Sequence, residues 1–509
     1  MSADSAPNQI SISRTAFTEA FFAFEKQLPV SAFVYNRNNI GPLVRRFVMY
    51  DFFRAQHDQD LDVKNAAGQN KTAKLPASAF QPLVTHRDYK KRLSELAAAH
   101  HGKVLFFFSS TQKPSDIINE RGYFRHIDPY FERLASDFDT VRIQVSGSNS
   151  LILENLEYPV HTLNSGNLVM EVMRKEGFKR KLKLKPSLAN IKKNEAEIIA
   201  KIKALNAGYI PSQGSITAFA ERVFAWEKLL TPFIEKLNPK AVFMPCYFCD
   251  QQTLGLTAAC HKAGVPVIDI QHGGQDNPMY YGWEGAAAAS PYLADYFWMW
   301  SDYFTEFIAA NNSGMKGKPF TGGNFWMQKS LKTIQVTDEV KSLQNEAAKA
   351  ERTVVISLQR GIAGHILEAM RELPSTWRWL IRFHPVQTED ERKIINDLLA
   401  EFPNAETVRP SKVNLYHLLQ LADVHITGWS TVAIEALQLG VPTIFSHPNA
   451  EAGYGRLIGK DGLMLKTGKE GMIAALKTAK KVSVMPLLGS NQSIDFPPAL
   501  LKALNRKDR

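Results

Sequence analysis

The sequence predicts an α/β protein built from two doubly wound parallel sheets that follow one another along the chain. Short apolar runs that end in small or polar residues, as at 103–109 (KVLFFFS) and 241–245, are typical of buried parallel strands. Helical patterns at 187–205 and 215–237 separate such runs, and a second alternation of strands and helices begins at residue 353. We therefore expect two Rossmann-like units facing a central cleft.

The alternation of apolar runs sets the predicted elements and domains. In the first unit we expect strands at 103–109, 138–145, 241–245 and 267–271, with helices at 187–205, 215–237 and 253–263. In the second unit we expect strands at 353–358, 379–383, 424–427 and 442–446, with helices through 370, at 415–421 and at 431–439. The alternation pauses around 317–330. The expected segments are an N-terminal extension (1–100), a first Rossmann-like domain (101–330), a second one (331–485) and a basic C-terminal tail (486–509).

The composition is that of a globular protein. Of the 509 residues, 45% are hydrophobic and 22% are charged, which allows full-size buried cores. The longest apolar runs, such as 104–108 and 286–289, are far shorter than the roughly 18 residues that span a bilayer. The polar residues 1–13 lack the pattern of a signal peptide. We therefore expect a cytoplasmic protein.

The net charge of +11 is concentrated in one segment. Residues 174–193 read RKEGFKRKLKLKPSLANIKK, and residues 502–509 add a second basic stretch. Such segments attract anionic lipid headgroups, nucleic acid or phosphorylated substrates, or they form a solvated helix face. Nucleic acid is the weakest of these options because no zinc-finger, RRM or KH signature accompanies the charge. A peripheral contact with the inner face of the cytoplasmic membrane is the expectation.

Three cysteines occur, and Cys246 and Cys249 form a C-x-x-C pair. A zinc site would need further ligands, and Cys260 and His261 are neighbours on a predicted helix, where their side chains diverge. Buried structural thiols are the preferred interpretation, and no metal site is predicted.

The sharpest motif is at 424–431 (VHITGWST), where a strand runs through a Gly/Ser/Thr turn into a helix. Exposed backbone N–H groups after Gly428 and the hydroxyls of Ser430 and Thr431 suit a phosphate. An ordinary Ser/Thr helix cap has the same pattern, so both interpretations stay open here. Glu435 lies in the helix that follows.

Two further loops end neighbouring strands of the second unit. Arg382, His384 and Pro385 (RFHP) follow one strand, and the proline keeps that loop extended. Gln359 and Arg360 begin a glycine-containing loop after another strand. Arginine and histidine pair with phosphate oxygens, so these loops and the 428–431 turn together predict a nucleotide pocket.

The first unit contributes a smaller set of polar residues. Gln271, His272 and Gly273 end one strand, and Asp250 follows another after a short loop. We expect Asp250 to be a catalytic carboxylate and His272 to stabilise departing phosphate charge. Alternatively, Asp250 caps a helix and His272 is a hydrogen-bonded wall residue. Weaker candidates for contacts with a second substrate are Asp116, Arg125, His126 and Asp128.

Together, the QHG at 271–273, the RFHP at 382–385 and the GWST-x-x-x-E at 428–435 resemble bacterial capsule and lipopolysaccharide glycosyltransferases of the GT-B type. The likeness covers residues 103–465 and is nearest to transferases of CMP-activated acidic sugars, such as Kdo transferases and polysialyltransferases. It implies that the HP pair (384–385) and the Ser/Thr pair (430–431) bind CMP, that the first domain holds the acceptor and the second the donor, and that Asp250 is catalytic.

The sequence departs from one related group. Gly428 and Trp429 precede Ser430, where teichoic-acid polymerases have Asp-Tyr. Glu435 resembles the carboxylate with which many nucleotide-sugar transferases hold a ribose, which keeps a UDP-sugar donor open.

The resemblance implies a transferase that moves Kdo or another nonulosonic acid from a CMP donor to a growing surface glycan. Its partners would be the nucleotide sugar and a glycan or lipid-linked acceptor, with no nucleic acid and no required cofactor, since dipoles and basic side chains can offset phosphate charge without a metal. The alternatives are a UDP-sugar-dependent transferase or epimerase, and a non-catalytic scaffold with the same fold.

Overall fold

The structure is a computed structural model that describes most of the chain. The described residues are 14–27, 34–35, 38–59, 84–109, 114, 116–118, 120–147, 155–182, 186–204, 211–273, 279–312, 317–334, 336–359, 361–385, 387–460, 462–483 and 494–506. Arg360, one of the predicted pocket residues, lies outside them, as do residues 60–83 of the N-terminal extension.

The strands and helices alternate from residue 104 onward. The strands are β1 (Val34–Tyr35), β2 (Asn38–Asn39), β3 (Val104–Phe108), β4 (Asp116–Ile118), β5 (Arg121–Tyr123), β6 (Thr140–Gly147), β7 (His161–Gly166), β8 (Val242–Pro245), β9 (Val267–Ile270), β10 (Tyr296–Met299), β11 (Lys318–Thr321), β12 (Arg352–Ser357), β13 (Trp377–Arg382), β14 (Ala405–Glu406), β15 (Val424–Thr427), β16 (Thr443–Phe445) and β17 (Leu463–Leu465). The helices are α1 (Arg14–Gln27), α2 (Gly41–Gln59), α3 (His86–His100), α4 (Asp128–Ala135), α5 (Leu168–Leu182), α6 (Pro186–Ala204), α7 (Ser215–Leu237), α8 (Gln251–Lys262), α9 (Gly285–Ala288), α10 (Asp302–Asn311), α11 (Phe325–Thr333), α12 (Asp338–Ala347), α13 (Gly364–Glu372), α14 (Glu389–Leu399), α15 (Val408–Lys412), α16 (Leu415–Gln420), α17 (Val432–Gln438), α18 (Ala450–Tyr454), α19 (Lys469–Thr478) and α20 (Pro498–Leu504).

The first sheet is seven-stranded and parallel, in the order β11-β10-β9-β8-β3-β6-β7. Its chain connections run outward from β3 to one edge and then from β8 to the other. The order therefore reverses between β3 and β8. In open α/β sheets, ligands bind beyond the carboxyl ends of the strands at such a reversal.

The second sheet repeats this plan with six parallel strands, in the order β14-β13-β12-β15-β16-β17. Numbered along the chain this is 3-2-1-4-5-6, which is the Rossmann order. The reversal lies between β12 and β15. The predicted fold of two Rossmann-like units is confirmed.

Alternate residues of the strands fill separate cores on the two faces of each sheet. In β3, Leu105 and Phe107 belong to the cluster that α7 and α8 cover, whereas Phe106 and Phe108 belong to a second cluster with α4 and α20. The first cluster also contains Ile434 of the second unit. The two units therefore share a core, which fixes their carboxyl edges close together.

The N-terminal extension packs on this shared core. Phe17 of α1 stacks on Phe52 of α2, with ring centroids 3.6 Å apart, and both side chains are fully buried. The guanidinium of Arg46 donates to the carbonyl oxygens of Phe248 and Cys249. The extension thus holds the loop that follows β8.

Several elements differ from the predictions. The expected pause at 317–330 contains β11 and α11, and the strands β7, β10 and β17 have no counterpart among the predicted strands. Edge strands such as β7 (HTLNSG) and β11 (KPFT) lack a continuous apolar run, because one side of an edge strand needs no partner strand.

The C-terminal segment also differs from the expected tail. Leu500 and Leu504 of α20 are buried against the first sheet, and the guanidinium of Arg506 donates to the carbonyl of Asn238 at 3.1 Å. In the described part of the chain, no helix combines the length and the apolar character that crossing a bilayer requires.

Candidate functional site

A cavity of about 270 Å³ lies where the carboxyl ends of the two sheets meet. At this edge Ser357 pairs in register with Arg382 on one side and with Thr427 on the other, so the loops after β12, β13 and β15 start side by side. The lining residues come from both units: Arg125, His126, Tyr130, His272, Trp300, Trp326, Ser357, Leu358, Arg382, Phe383, His384, Pro385, Leu415, Ser430, Thr431, Val432 and Glu435. The predicted pocket residues Arg382, His384, Pro385, Ser430, Thr431 and Glu435 are all among them.

The turn after β15 is shaped by a single amide side chain. Gln359 Oε1 accepts from the backbone N–H of Trp429 at 2.7 Å. A Cβ added at Gly428 would lie 2.5 Å from the same oxygen, so a larger residue there would displace the Gln359 amide. Gln359 and Gly428 are not among the lining residues; they set the direction of the turn. Our expectation that Gln359 contacts a ligand directly is replaced by this positioning role.

Ser430 and Thr431 face the cavity at the start of α17. Ser430 Oγ accepts from the N–H of Val432 at 3.3 Å, so one N–H at the helix start is already bonded within the turn. The helix is only seven residues long, which makes its dipole a small contribution. Ser430 thus closes a local turn and lines the cavity, while Thr431 at the start of the helix makes no side-chain cap hydrogen bond. Phosphate binding by this motif stays a prediction.

Arg382 and His384 are held in place by different means. Arg382 Nη1 donates to the carbonyl oxygens of Pro410 and Val413, at 2.7 and 2.5 Å, which anchors the guanidinium at the cavity wall. The backbone N–H of His384 donates to Gln387 Oε1 at 2.6 Å, and this fixes the loop that carries the imidazole. Arg382 therefore supplies fixed positive charge, with part of its hydrogen-bonding capacity used by the backbone.

The first unit reaches the cavity through His272. Gln271 is fully buried: its Nε2 donates to the carbonyl of Gly273 at 2.9 Å, and its Oε1 accepts from the N–H of Trp300 at 2.7 Å. A Cβ on Gly273 would lie 3.8 Å from Thr431 Cγ2 of the other unit. The QHG and GWST loops are thus direct neighbours across the cleft.

Arg125 and His126 also line the cavity, although the sequence indicated them only weakly. Arg125 donates to both carboxylate oxygens of Asp116, at 2.7 and 3.2 Å. Burial and the neighbouring Arg125 lower the pKa of Arg382 to about 10, which leaves the Arg382 guanidinium charged at neutral pH. Two cations at the same cavity favour an anionic ligand between them.

The two histidines of the first unit that line the cavity, His126 and His272, are neutral at neutral pH. Their rings are perpendicular, with centroids 6.4 Å apart. Burial, His272 and Arg125 together lower the pKa of His126 to about 3, and burial lowers the pKa of His272 to about 4. A neutral imidazole has one N–H donor and one acceptor nitrogen, so each ring can either give or take a hydrogen bond at neutral pH.

We expect the rings of His126 and His272 to stay neutral from pH 8 to pH 5, because both pKa values are depressed. The unfolded chain takes up these protons near pH 6.5, so the stability that the two sites contribute is present above that pH and decreases as the pH falls toward 4. Nitrogen-15 NMR of histidine-labelled protein measures this directly, with His126→Gln and His272→Gln as assignment controls. A titration midpoint near 6.5 for either ring would contradict the structure.

Glu435 is the single carboxylate among the described residues that line the cavity. Tyr416 donates its hydroxyl to Glu435 Oε1 at 2.5 Å. Burial raises the pKa of Glu435, while Tyr416 and Arg125 oppose that rise. One carboxyl oxygen is therefore fixed by Tyr416, and the group is positioned to bind a hydroxyl or to hold a proton.

Asp250 does not lie where we predicted a catalytic carboxylate. It is outside the cavity lining, and its Oδ1 accepts from the backbone N–H groups of Gln252 and Thr253, both at 2.9 Å. The hydroxyl of Thr253 is 3.2 Å from the backbone N–H of Asp250, which completes a capping box at the start of α8. The structure thus favours the helix-cap interpretation of Asp250.

The other weak candidates have structural roles. Asp116 orients Arg125, and Asp128 forms a fully buried ion pair with Arg142 at 2.6 Å.

Cys246, Cys249 and Cys260 are free thiols, and no cluster of three or more metal-ligating side chains occurs among the described residues.

The sequence did not indicate several residues of the cavity. Tyr130, Trp300, Trp326 and Ser357 line it, and Tyr416 supports it. The aromatic residues come from helices and loops with ordinary core patterns. The adjacent polar residues Arg125 and His126 follow shortly after β5. They were the signal in the sequence that this segment contributes to the cavity.

Two parallel sheets of Rossmann order around a common cavity define an α/β protein of the GT-B type. Solved structures with similar chain folds include the UDP-GlcNAc 2-epimerase of Methanocaldococcus jannaschii, with 14% identity, 75% of this chain and 95% of that chain covered and a TM-score of 0.46. The UDP-GlcNAc 2-epimerase of Neisseria meningitidis bound to UDP-GlcNAc has 16% identity, covers 74% and 90%, and has a TM-score of 0.42. A wall teichoic acid polymerase has 12% identity, covers 77% and 84%, and has a TM-score of 0.36.

These likenesses concern the fold of the chain. No protein-family model matches the chain, and no curated protein sequence matches it.

Proposed function

We propose that the chain is an enzyme of the GT-B type that acts on a nucleotide-activated sugar bound in the central cavity. The observation that carries this proposal is the polar lining of the cavity. Two guanidinium groups, those of Arg125 and Arg382, and three imidazole rings, those of His126, His272 and His384, line the same cavity as one buried carboxyl group, that of Glu435. The aromatic rings of Trp300 and Trp326 lie beside them, and a nucleotide needs both kinds of surface.

The phosphate of the donor would lie between Arg125 and the loops of the second unit. In a buried site a fixed cation stabilises phosphate charge far more than it does in water. Arg382 is anchored by two backbone carbonyls, so its charge needs no reorganisation when a leaving phosphate forms. His384, Ser430 and Thr431 would bind the nucleotide, as their resemblance to GT-B motifs implies.

The acceptor side of the reaction would involve the first unit. The neutral ring of His272 can donate an N–H hydrogen bond to the departing phosphate, and that of His126 can accept a hydrogen bond from an attacking hydroxyl. Glu435, with Tyr416 on one oxygen, would hold the ribose hydroxyls through its other oxygen. Asp250 has no part in this scheme.

The reaction we propose is transfer of the sugar to an acceptor hydroxyl of a growing surface glycan. The donor is either a CMP-linked acidic sugar, such as Kdo, or a UDP-linked sugar. Epimerisation of a UDP-sugar is a second candidate, because the protonatable carboxyl of Glu435 lies in the same cavity as two neutral imidazoles, and such groups can move a proton on the sugar.

The experiment is to incubate the full chain with CMP-linked acidic sugars and with UDP-linked sugars, each with and without glycan acceptors, and to follow products by phosphorus and proton NMR. Product that needs the acceptor supports transfer, and a new UDP-sugar isomer without acceptor supports epimerisation. His384→Ala and Ser430→Ala serve as pocket variants. Binding of every nucleotide without turnover of any donor would favour the scaffold alternative and overturn the enzymatic proposal.

We expect Asp250→Asn to retain donor turnover within about twofold of the wild type, because asparagine also caps helices. Asp250→Ala should lose about 1 kcal/mol of unfolding free energy, since two N–H groups lose their acceptor. Denaturant unfolding and the turnover assay measure the two effects. Loss of turnover in a stable Asp250→Asn variant would restore the catalytic assignment.

A lipid-linked acceptor and contact with an anionic membrane remain predictions. Within the basic segment 174–193 the structure describes the side chains of Arg174 and Lys175 alone, so the proposal rests on the charge of the sequence. Flotation with anionic vesicles tests it. Binding at low salt that is lost at high salt is expected, because surface charges are screened, and no binding at low salt would refute it.

A further inference from the structure

Three polar side chains lie on one face of the second sheet, below the cavity. In β12, Val355 and Ser357 point to the same face, because alternate residues of a strand do so. Val355 pairs in register with His425 of β15, and His425 pairs with Thr443 of β16. The register therefore brings Ser357, His425 and Thr443 together on adjacent strands.

Their side chains form a continuous hydrogen-bonded chain. His425 Nε2 lies 2.7 Å from Ser357 Oγ, and His425 Nδ1 lies 3.0 Å from Thr443 Oγ1. His425 and Thr443 are fully buried, whereas Ser357 is 6% exposed and lines the cavity. The chain thus has one end inside the sheet and the other end at the ligand pocket.

A buried imidazole on an otherwise apolar sheet face is costly unless both ring nitrogens are bonded. Neighbours on that face include Val355, Leu418 and Ala436. Burial lowers the pKa of His425 to about 3, so the ring is neutral and carries one N–H. Which nitrogen holds this hydrogen decides the direction of the whole chain.

We propose that Ser357 is an oxyanion-binding residue of the cavity and that His425 and Thr443 are positioning residues that direct its hydroxyl hydrogen toward the ligand. The Thr443 hydroxyl donates to His425 Nδ1, His425 Nε2–H donates to Ser357 Oγ, and Ser357 donates to an anionic oxygen, such as that of a nucleotide phosphate. This inference rests on the proposed function for the identity of the ligand.

One feature of the site favours this direction over the reverse. Arg382 is the register partner of Ser357 and lines the same cavity, so the ligand atom near Ser357 is an electron-rich oxygen that needs donors. Separately, Thr427 Oγ1 donates to the carbonyl of Ser357 at 2.9 Å, which holds the strand end in place. Chains of hydrogen bonds that point the same way strengthen one another.

The experiment compares nucleotide affinity by calorimetry, using CMP and UDP as probes, in the wild type, Ser357→Ala, Thr443→Val and Thr443→Ser. Ser357→Ala should bind about tenfold more weakly, the loss expected for a hydrogen bond to a charged group. Thr443→Val, outside the cavity, should also weaken binding several-fold, while Thr443→Ser should restore it. Thr353 has a buried hydroxyl at the amino end of β12, the strand that carries Ser357. Thr353→Val is therefore the matched control and should bind nucleotide as tightly as the wild type.

Nitrogen-15 NMR of His425 provides a readout that a merely structural role would not change. The hydrogen should be on Nε2 in the wild type and in Thr443→Ser, and it should be distributed over both nitrogens in Thr443→Val. A wild-type hydrogen on Nδ1, or wild-type affinity in both Ser357→Ala and Thr443→Val, overturns the inference while the proposed function stands. If the wild type binds neither probe, the proposed function fails and the ligand assignment of Ser357 fails with it.

Discussion

Replacing Arg125 with glutamine is expected to weaken nucleotide binding about 10- to 100-fold, the cost of about 1.5–3 kcal/mol for a lost hydrogen bond to a charged group. Arg125 lines the cavity from the first unit, and its guanidinium is paired with Asp116. The variant both removes a cation and leaves that carboxylate without its partner beside the anion site. Calorimetric titration with the nucleotide that binds the wild type more tightly measures the change.

Two controls separate charge from folding in this experiment. Arg133→Gln removes a guanidinium that pairs with Asp137 outside the cavity, and it should leave affinity unchanged. Asp116→Asn keeps Arg125 and removes the competing carboxylate, so binding should be no weaker than in the wild type. Full affinity in a folded Arg125→Gln variant would show that the ligand phosphate does not lie near this side chain.

The second large effect is expected in the core of the first unit. Asp128→Asn should lower the unfolding free energy by about 3–5 kcal/mol, because removing one partner of a buried ion pair leaves the other charge uncompensated. Arg142 Nη2 is 2.6 Å from Asp128 Oδ1, and both side chains are fully buried. The rings of Phe108 and Phe131 lie near the guanidinium, and they cannot form the ion pair that Asp128 forms with it.

Denaturant unfolding of Asp128→Asn measures this loss, with Glu95→Gln as the comparison. Glu95 pairs with Arg92 on the surface of α3, where both side chains are about half exposed, so its replacement should cost less than about 1 kcal/mol. The double variant Asp128→Leu with Arg142→Met should recover part of the stability, since neither charge is then buried alone. Equal stability of Asp128→Asn and Glu95→Gln would mean that the buried pair is not formed.

The central strands of both sheets could be predicted because they are buried on both faces. The run VLFFF of β3 lies between helices, so hydrophobicity alone marks it, whereas the strand VHIT of β15 is indicated together with the Gly/Ser/Thr turn that follows it. The carboxyl ends of such strands then indicate the site, which explains why the sequence predicts His272, His384 and Ser430. The edge strands carry no such signal.

The roles of the site residues were harder to predict than their positions. Asp250 and Gln359 follow strands, as the predicted contacts required, but their oxygens accept from backbone N–H groups instead of facing the cavity. A sequence shows that a polar residue ends a strand; it does not show which of the nearby N–H groups that residue satisfies. Arg125 and His126 reach the cavity from a segment between the small hairpin β4–β5 and α4, and no periodicity predicts such a path.

The most direct test of the central claim is a crystal structure of the full chain with CMP or UDP, whichever binds more tightly in solution. The account predicts a phosphate in the cavity between the two units, within hydrogen-bonding distance of His384 and Ser430 and close to Arg125. A nucleotide bound elsewhere, with this cavity unoccupied at saturating concentration, would contradict it.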